Sequence, residues 1–152
     1  MISKEIKKRL LAVCLEQLDL EQKALQNNLA SVEESRNNET KSSVGDKYET
    51  GRAMMQLEHQ KLTSQLQRLK AQIGELKVIQ SEFVATRVGQ GSLVDTDRGC
   101  YFICTALGKI PVQDQIFFCI SLQSPIGRLL QHKIVGDKVV FNNKEIQIKE
   151  IV

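Results

Sequence analysis

The chain has 152 residues, a charged fraction of 26% and a formal net charge of +3 at pH 7. This length suits one large or two small domains, and the charge balance is that of an ordinary water-soluble protein rather than a polyelectrolyte. With no Trp, 5% aromatic residues and no basic stripe, the composition argues against a surface that stacks on nucleic acid.

The N-terminal segment has no apolar core of a signal peptide, and no run approaches the length of a membrane span. We therefore expect a cytoplasmic protein without membrane contact. The four cysteines form no C-x-x-C pair, so neither a zinc ribbon nor a redox motif is indicated. Cys100, Cys104 and Cys119 fall in apolar, strand-like runs and are expected to be small buried thiols.

The first predicted element is a long helix from Ile6 to about Asn37, a stretch without Pro or Gly. Its apolar residues recur at alternating spacings of four and three, which is the pattern of a coiled-coil seam. The seam contains Leu11, Leu15, Leu18, Leu25, Leu29 and Val32, with Gln22 as its polar exception. A second apolar strip near the start predicts that this end also packs against something besides a partner helix.

A second helix is predicted from near Tyr48 to about Phe83, and its seam keeps the same spacing with His59 as the polar member. Two matched segments joined by a polar loop around residues 37–45 predict an antiparallel hairpin over about residues 3–83. A parallel dimer of continuous helices is the alternative, which the Asn, Ser and Gly residues of the loop disfavour. An internal seam also favours a monomer. Gln22 and His59 either pair to fix the register or are simply solvated.

The joint between the two predicted helices carries two carboxylates three residues apart, Asp46 and Glu49. If Glu49 lies in the first turn of the returning helix, Asp46 lies at or just before its N-cap, and both side chains face the same rim. Paired carboxylates at an exposed tip can hold a hard divalent cation and orient water. The structural alternative is an N-cap Asp with an acidic first turn, which favours the helix dipole and requires no function.

After Phe83 the apolar period changes, and glycines separate short segments rich in β-branched and aromatic residues. The segments predicted as strands are 92–95, 100–105, 116–121, 138–141 and 144–152. Asp97-Arg98-Gly99 is a plausible hairpin turn. Asn142-Asn143 predicts a second one, because Asn tolerates the positive φ of a two-residue primed turn.

Between these strands, Ser124 is expected to cap a short helix that begins with Pro125, and Leu129 and Leu130 are available to cover a sheet face. Val135-Gly136-Asp137 then turns the chain into the last hairpin. We therefore expect an α+β protein. It has an antiparallel two-helix coiled-coil hairpin over residues 1–83, then a small antiparallel β domain with a short helix over residues 84–152.

Two motifs resemble those of the Gre transcript cleavage factors. Ser124-Pro125-Ile126-Gly127-Arg128-Leu129-Leu130, followed by Lys133 and Val135-Gly136-Asp137-Lys138-Val139, resembles the C-terminal signature of that family. Gly45-Asp46-Lys47-Tyr48-Glu49 is similar to the Gly-Asp-x-x-Glu motif at the tip of its N-terminal helical hairpin. The order of parts is similar too, with a hairpin first and an FKBP-like domain second. The resemblance covers almost the whole chain.

The resemblance implies a transcription elongation factor that binds bacterial RNA polymerase. In that family the C-terminal domain docks at the entrance of the secondary channel, and the hairpin passes down the channel to the active centre. The tip carboxylates there help hold the second magnesium ion and the attacking water, so that the polymerase cuts backtracked RNA. Carried over by position, Asp46 and Glu49 would assist that polymerase-held Mg²⁺, close to the 3′ end of the nascent RNA. Ser124, Pro125 and Arg128 would contact the polymerase. The chain would then be a coactivator rather than an enzyme, with no cofactor or metal of its own.

The chain also departs from the family pattern. Thr50-Gly51-Arg52-Ala53 stands where the family usually has Asn-Ala-Glu-Tyr, and the usual opening motif is absent, so the chain resembles a divergent member. Gly51 costs about 1 kcal/mol of helix stability relative to Ala, and Arg52 reverses a charge. Three alternatives stay open. One is a regulator or inhibitor in the same channel that does not stimulate cleavage. The others are a peptidyl-prolyl isomerase, whose pocket should be lined by aromatic residues, and a coiled-coil adaptor or chaperone, whose tip should be apolar.

Overall fold

The computed structural model describes the backbone of residues 2–41 and 45–152 and the side chains of residues 2–37 and 49–152. Two long helices come first, followed by a small sheet and one short helix, which confirms the predicted α+β class. The elements are α1 Lys4–Lys41, α2 Gly45–Lys77, β1 Leu93–Thr96, β2 Gly99–Ile103, β3 Gly108–Val112, β4 Gln115–Ile120, α3 Pro125–Leu130, β5 Lys138–Phe141 and β6 Lys144–Ile151.

The chain forms two compact units, which we call the helical unit and the sheet unit. The helical unit is Gln17–Ile73, and the sheet unit combines Met1–Glu16 with Gly74–Val152. The predicted domain boundary at residue 83 stays a prediction, because compactness alone does not define a domain that folds independently.

The helical unit has a single seam. In α1 the partly or fully buried positions follow the predicted four-three spacing. The buried positions of α2 follow the same spacing, and this helix runs in the opposite direction. These positions are Leu18, Gln22, Leu25, Leu29 and Val32 in α1 and Met55, His59, Leu62, Leu66, Leu69 and Ile73 in α2. A groove lined by Glu21, Leu25, Leu69 and Gln72 among others shows that early α1 lies beside late α2, as in an antiparallel pair.

The helix ends differ from those predicted. Helix α1 continues past Asn37 to Lys41, and α2 begins at Gly45 and ends at Lys77. Asn and Thr each cost less than about 0.7 kcal/mol in a helix, too little to stop a long one. At the far end of α2 the Ile79 N–H donates to the Leu76 carbonyl at 3.1 Å, which closes a turn before the predicted end at Phe83. Residues 42–44 of the predicted loop lie outside the described residues.

The six strands form one sheet in the order β3-β4-β2-β1-β6-β5. All described neighbours are antiparallel except β2 and β4, which run parallel in the register Tyr101↔Phe118. The prediction of a purely antiparallel sheet was therefore wrong. The reason is strand β3, which the sequence reading missed. Pro111 and Lys109 make it a poor strand candidate, but β3 lies at the sheet edge, where Pro is tolerated.

Strand β3 forms a hairpin with β4 in the register Val112↔Gln115, and Gln113 in the turn has a φ of +56°. The hairpin reverses the chain, so β4 enters the sheet beside β2 in the parallel direction. The predicted turn at Asn142-Asn143 is confirmed, because both residues have positive φ, 51° and 62°, as a type I′ turn requires.

Successive strand residues point to opposite faces of the sheet, and both faces are covered. On one face a core forms around α3, in which Ile126 and Leu130 pack against strand residues. Its buried members are Val88, Val94, Ile103, Ile126, Leu130, Val139, Ile146, Ile148 and Ile151. The other face carries Leu93, Phe102 and Phe117, each with 0% exposure. The Cys14 Sγ of α1 lies 3.7 Å from the Cys119 Sγ of β4, so the start of α1 covers this second face.

A buried lysine fixes the start of α1 within the sheet unit. The Lys7 side chain is 2% exposed, and its Nζ donates to the carbonyls of Phe83, at 2.9 Å, and Val152, at 3.4 Å. Burial lowers the pKa of Lys7 below its ordinary value of 10.5. This contact was not predicted from the sequence, because its hydrogen bonds join residues that are distant in the chain.

Candidate functional site: the Ser124 helix and the acidic tip

The short helix α3 begins with the predicted cap. Ser124 has extended backbone angles, φ −64° and ψ 155°. Its Oγ accepts from the Gly127 N–H at 3.0 Å and donates to the Ser121 carbonyl at 2.7 Å. Pro125 is the first helical residue. At this position a backbone N–H would have no acceptor within the helix, so the missing N–H of Pro costs no hydrogen bond. Ser124 therefore ties α3 to the end of β4, and this part of the motif has a structural explanation.

Gly127 explains the small residue in the same motif. A Cβ at this position would lie 2.2 Å from the Ser121 carbonyl oxygen and 2.8 Å from the Ser124 Oγ. Backbone cannot move aside as a flexible side chain can, so only glycine lets α3 lie this close to the chain before it.

The segment after α3 is held by backbone bonds and one carboxylate. His132 lies in the left-handed region at φ +68°, and its N–H donates to the Val88 carbonyl at 2.9 Å. In the following turn Asp137 Oδ2 accepts from the Ile134 N–H at 2.9 Å, and Gly136 has a φ of +93°. The Gly-Asp part of the signature therefore builds the turn into β5.

The outer surface of this region combines cationic and apolar side chains. Pro125 and Arg128 are exposed on α3, whereas Ser124 is only half-buried. Leu129 on α3, Ile134 and Val135 in the segment after it, and Val140 on β5 are 37%, 41%, 55% and 62% exposed. Exposed aliphatic residues next to Arg are typical of protein-binding surfaces. We call Pro125, Arg128, Leu129, Ile134 and Val135 the α3 surface. Pro125 and Arg128 were predicted from the sequence, but the aliphatic residues of this surface were not. Their signal in the sequence is that they are apolar at positions that do not belong to a predicted strand.

The two predicted tip acids fall at the start of α2. Gly45 is the first residue of the helix, so Asp46 is already inside it rather than at its cap, and Glu49 follows three residues later. Glu49 is exposed. The side chain of Asp46 lies outside the described residues, and its predicted pairing with Glu49 stays a prediction.

A polar cleft of about 380 Å³ lies near the same end of the helical unit, lined by Glu33, Arg36, Asn37 and Arg52. Arg52 is exposed and follows Glu49 by three residues, so the two lie on neighbouring positions of α2. The described part of this end is thus of mixed charge rather than uniformly acidic.

The two polar residues of the seam do not pair with each other. His59 Nε2 lies 3.3 Å from Glu33 Oε1, on the opposite helix of the antiparallel pair. Glu33 is exposed, so this contact is solvated. Of the two alternatives for Gln22 and His59, the structure favours solvation over a register-fixing pair, because the helices place His59 beside Glu33.

The cysteines are four buried free thiols, as predicted for three of them. Burial, together with the hydrogen bond that its thiol donates to Asp95 at 3.1 Å, raises the pKa of Cys100 to about 11. Hydrogen bonds to Cys104 and Cys14, together with burial, raise the pKa of Cys119 as well. Both thiols are therefore protonated at neutral pH and poor metal ligands.

Among the side chains of residues 2–37 and 49–152, no group of three or more His, Cys, Asp or Glu residues is placed to hold a metal ion. Within residues 2–41 and 45–152, none of the helices is both long enough and apolar enough to cross a membrane.

No protein-family model matches the chain. No curated protein matches it by sequence. Among solved structures it is similar to one described as the structure of the transcription factor Gfh1, with 17% sequence identity and a TM-score of 0.40. The alignment covers 91% of this chain and 93% of that chain.

Proposed function

We propose that this protein is a divergent transcription elongation factor of the Gre type. It binds bacterial RNA polymerase at the secondary channel and stimulates cleavage of backtracked RNA. The observation that carries the proposal is the position of Asp46 and Glu49, three residues apart at the start of α2 and next to the joint of a two-helix pair. Helix α1 has 38 residues and rises about 57 Å, a length suited to reaching a distant active centre.

The chemistry assigned to the tip is assistance to a metal that the partner holds. Hydrolysis of a phosphodiester by two metal ions requires a second ion that positions and activates the attacking water. Mg²⁺ keeps several waters and binds proteins through one or two carboxylates, so Asp46 and Glu49 can add ligands to an ion without forming a complete site of their own. The bond is broken at the site of the polymerase, and this protein acts as a coactivator.

The α3 surface is the proposed contact with the polymerase. Its exposed aliphatic residues supply the apolar area of an interface, and Arg128 supplies a charged, hydrogen-bonding anchor. Ser124 contributes by holding α3 in place through its bonds to Ser121 and Gly127.

The first experiment separates the tip acids from the fold. The double substitution Asp46→Ala and Glu49→Ala should abolish stimulated cleavage in a stalled elongation complex, while binding to core polymerase stays nearly unchanged. Extra Mg²⁺ should partly restore the rate, since the ion is then bound without the added ligands. The matched control is Glu34→Ala with Glu58→Ala, which removes the same charge from exposed positions elsewhere on α1 and α2. If the tip variant cleaves at the parental rate at limiting Mg²⁺, the two acids have only a structural role in the first turn of α2.

The second experiment tests the α3 surface. Pro125→Glu should weaken binding to core polymerase about tenfold or more, equivalent to about 1.4 kcal/mol. Pro111→Glu is the control, because Pro111 is the other proline of the chain, exposed on edge strand β3. Thermal melting of both variants checks that the sheet unit stays folded. Equal affinity of the two variants for core polymerase would show that α3 is not part of the interface.

A second candidate function is regulation of the same channel without cleavage. The observation that favours it is the cationic part of the tip region, where Arg36 and Arg52 line one cleft with Glu33. Positive charge repels a divalent cation, although it also keeps nearby carboxylates ionised. If the parental protein binds polymerase and slows elongation but never accelerates cleavage, this function replaces the first. The variant Arg52→Glu should then change inhibition rather than restore cleavage.

A further inference from the structure

The sheet unit contains a cleft that the proposed function does not use. It has a volume of about 290 Å³ and is lined by Arg98, Tyr101, Phe141, Asn142, Lys144 and Ile146. The lining comes from two turns and three strands, β2, β5 and β6, so its shape depends on the fold of the whole sheet. We name it the Tyr101 cleft.

Aromatic rings form the walls of the cleft and the surface next to it. Tyr101 and Phe141 are both half-buried, so each shows part of its ring to solvent. Beyond Tyr101 the surface continues onto Phe118, whose ring centroid lies 5.5 Å from that of Tyr101. Three of the seven aromatic residues of the chain are thus concentrated here, although the overall aromatic content is low. Flat, partly exposed rings are the surfaces on which nucleobases stack.

The rim of the cleft is cationic. Arg98 and Lys144 are exposed at its edge, and Lys109 Nζ lies 5.9 Å above the Phe118 ring. Across the residues that the structure describes, none of these three cations is in an ion pair with a carboxylate. The nearby carboxylates are engaged elsewhere: Glu145 pairs with Lys138 at 3.1 Å, and Asp97 Oδ1 accepts from the Gln147 N–H at 2.9 Å. Arg98 Nε donates to the Glu145 carbonyl at 3.3 Å, so the other N–H groups of its guanidinium and the two lysine ammonium groups are the part of the rim that can contact an anion.

Two polar groups can hydrogen-bond to a ligand in the cleft. Within the described part of the chain, the Tyr101 hydroxyl has no protein partner. Asn142 presents an amide with both donors and an acceptor, on a turn that its φ of +51° fixes. Together with the buried floor at Ile146, these groups surround space at the lower end of the range for small-molecule sites, which suits one base better than several.

We propose that the Tyr101 cleft binds one nucleobase with its adjacent phosphate. The base stacks on Tyr101 or Phe141, Asn142 hydrogen-bonds to its edge, and Arg98 and Lys144 contact the phosphate. The ligand is either a free nucleoside monophosphate or the exposed nucleotide of a single-stranded RNA, since both present the same chemistry. This binding is independent of the tip acids and of the α3 surface.

The test is titration of the full chain by isothermal calorimetry at low salt. The probes are AMP, adenosine, inorganic phosphate and an oligoadenylate of six nucleotides. AMP should bind and both fragments should bind at least about tenfold more weakly, because stacking and charge act together. The affinity for AMP should also fall as salt rises. Phosphate binding as tightly as AMP, or no heat with AMP at 10-millimolar concentration, would overturn the proposal.

The source of the ligand follows from the longer probe. An oligoadenylate that binds more than about tenfold tighter than AMP supports RNA, and equal affinity per site supports a free nucleotide.

The variant Lys144→Glu should weaken AMP binding about tenfold or more. Its control, Lys149→Glu, makes the same change at an exposed residue of β6 outside the cleft. Equal loss in the two variants would mean binding to net charge only, which contradicts a defined cleft. Tyr101→Leu should also weaken AMP binding, because it removes a ring on which the base stacks. Unchanged thermal melting shows that this variant is folded, and unchanged AMP affinity would contradict stacking on Tyr101.

Discussion

The two units of this protein are built on opposite principles of stability. In the sheet unit, strands bury side chains on both faces, and Leu93, Phe102, Phe117 and Leu130 have no exposed surface. Among the described side chains of the helical unit, only Leu18 has no exposed surface, and the next most buried, Leu69 and Leu62, are 4% and 5% exposed. Two helices with one seam cannot enclose a core, so this unit depends on helix propensity and on exposed pairs such as Asp19–Lys23. Exposed pairs of this kind contribute about 0–1 kcal/mol.

The difference in buried side-chain area between the two units determines which kind of functional surface each can carry. A unit with little buried area opens locally at low cost, and it tolerates polar and charged residues such as those at the start of α2. A unit with a dense core can hold small surfaces in fixed geometry, such as the α3 surface and the Tyr101 cleft. Four measurements test this difference between the two units.

The largest effect is expected from the core of the sheet unit. Phe102→Ala should reduce the free energy of unfolding by about 3–5 kcal/mol, because it removes a fully buried ring from a two-sided sheet. Phe83→Ala is the control, since Phe83 is 64% exposed and should cost less than about 0.5 kcal/mol. Urea denaturation followed by circular dichroism measures both. A loss below about 1 kcal/mol for Phe102→Ala would mean that the core is not close-packed.

Hydrogen exchange should separate the two units directly. Amides of residues 17–41 and 49–73 should exchange about 100-fold faster than the slowest amides of β1, β2 and β4, a difference of about 2.7 kcal/mol in local opening. The reason is the shortage of buried contacts in the helical unit. Mass spectrometry of peptic fragments gives the rates. Equal protection in both units would show that the seam is as stable as the sheet.

The third effect comes from the close approach at α3. Gly127→Ala should destabilise the sheet unit by about 1–3 kcal/mol, because the added Cβ would lie 2.2 Å from the Ser121 carbonyl. Gly74→Ala makes the same chemical change where nothing lies within 4 Å of the new Cβ, in the interior of α2. That control should stabilise the protein by about 0.5–1 kcal/mol. Opposite signs in thermal melting are the expected result, and equal signs would contradict the packing at Gly127.

The smallest effect concerns the buried charge of Lys7. Burial lowers its pKa in the folded state, so between that pKa and 10.5 the unfolded chain binds more protons. Stability from this group therefore rises as pH increases through that window, and below it the protonated, buried amine lowers stability. Lys7→Met should change stability at pH 7 by about 1 kcal/mol or less, because the lost hydrogen bonds offset the relieved charge burial.

The pH dependence of the stability difference between the parent and Lys7→Met tests whether the Lys7 amine is buried. The stability of the parent relative to Lys7→Met should increase as pH rises toward the ordinary lysine pKa of 10.5, measured by urea denaturation at closely spaced pH values. Lys8→Met is the control, because Lys8 is the exposed neighbour of Lys7 on α1 and should show no such trend. A flat difference would mean that Lys7 reaches solvent.

Features set by neighbouring residues could be predicted from the sequence, and features set by distant pairing could not. The seam spacing, the Ser124 cap and the Asn142-Asn143 turn each depend on a few adjacent residues, and all three are present. Strand β3 and the parallel β2–β4 pair depend on which strands meet, which no local pattern encodes. The Tyr101 cleft was missed for the same reason, because the Tyr101↔Phe118 register joins separate parts of the chain. The pairing of the tip acids stays a prediction.

The discontinuous composition of the sheet unit has a consequence during protein synthesis. Residues 1–16 are synthesised before residues 74–152, which contain their partners in this unit. Lys7 and Leu93 both bond to the backbone of Val152, so this unit cannot close until residue 152 is free. At a translation rate of about 5–20 residues per second, the 136 residues from Gln17 to Val152 take roughly 7 to 27 seconds to synthesise, and the buried face of early α1 has no sheet to pack against during that time. A chaperone that shields short apolar helices during that interval should increase the yield of folded protein more than one that acts only after residue 152 has emerged.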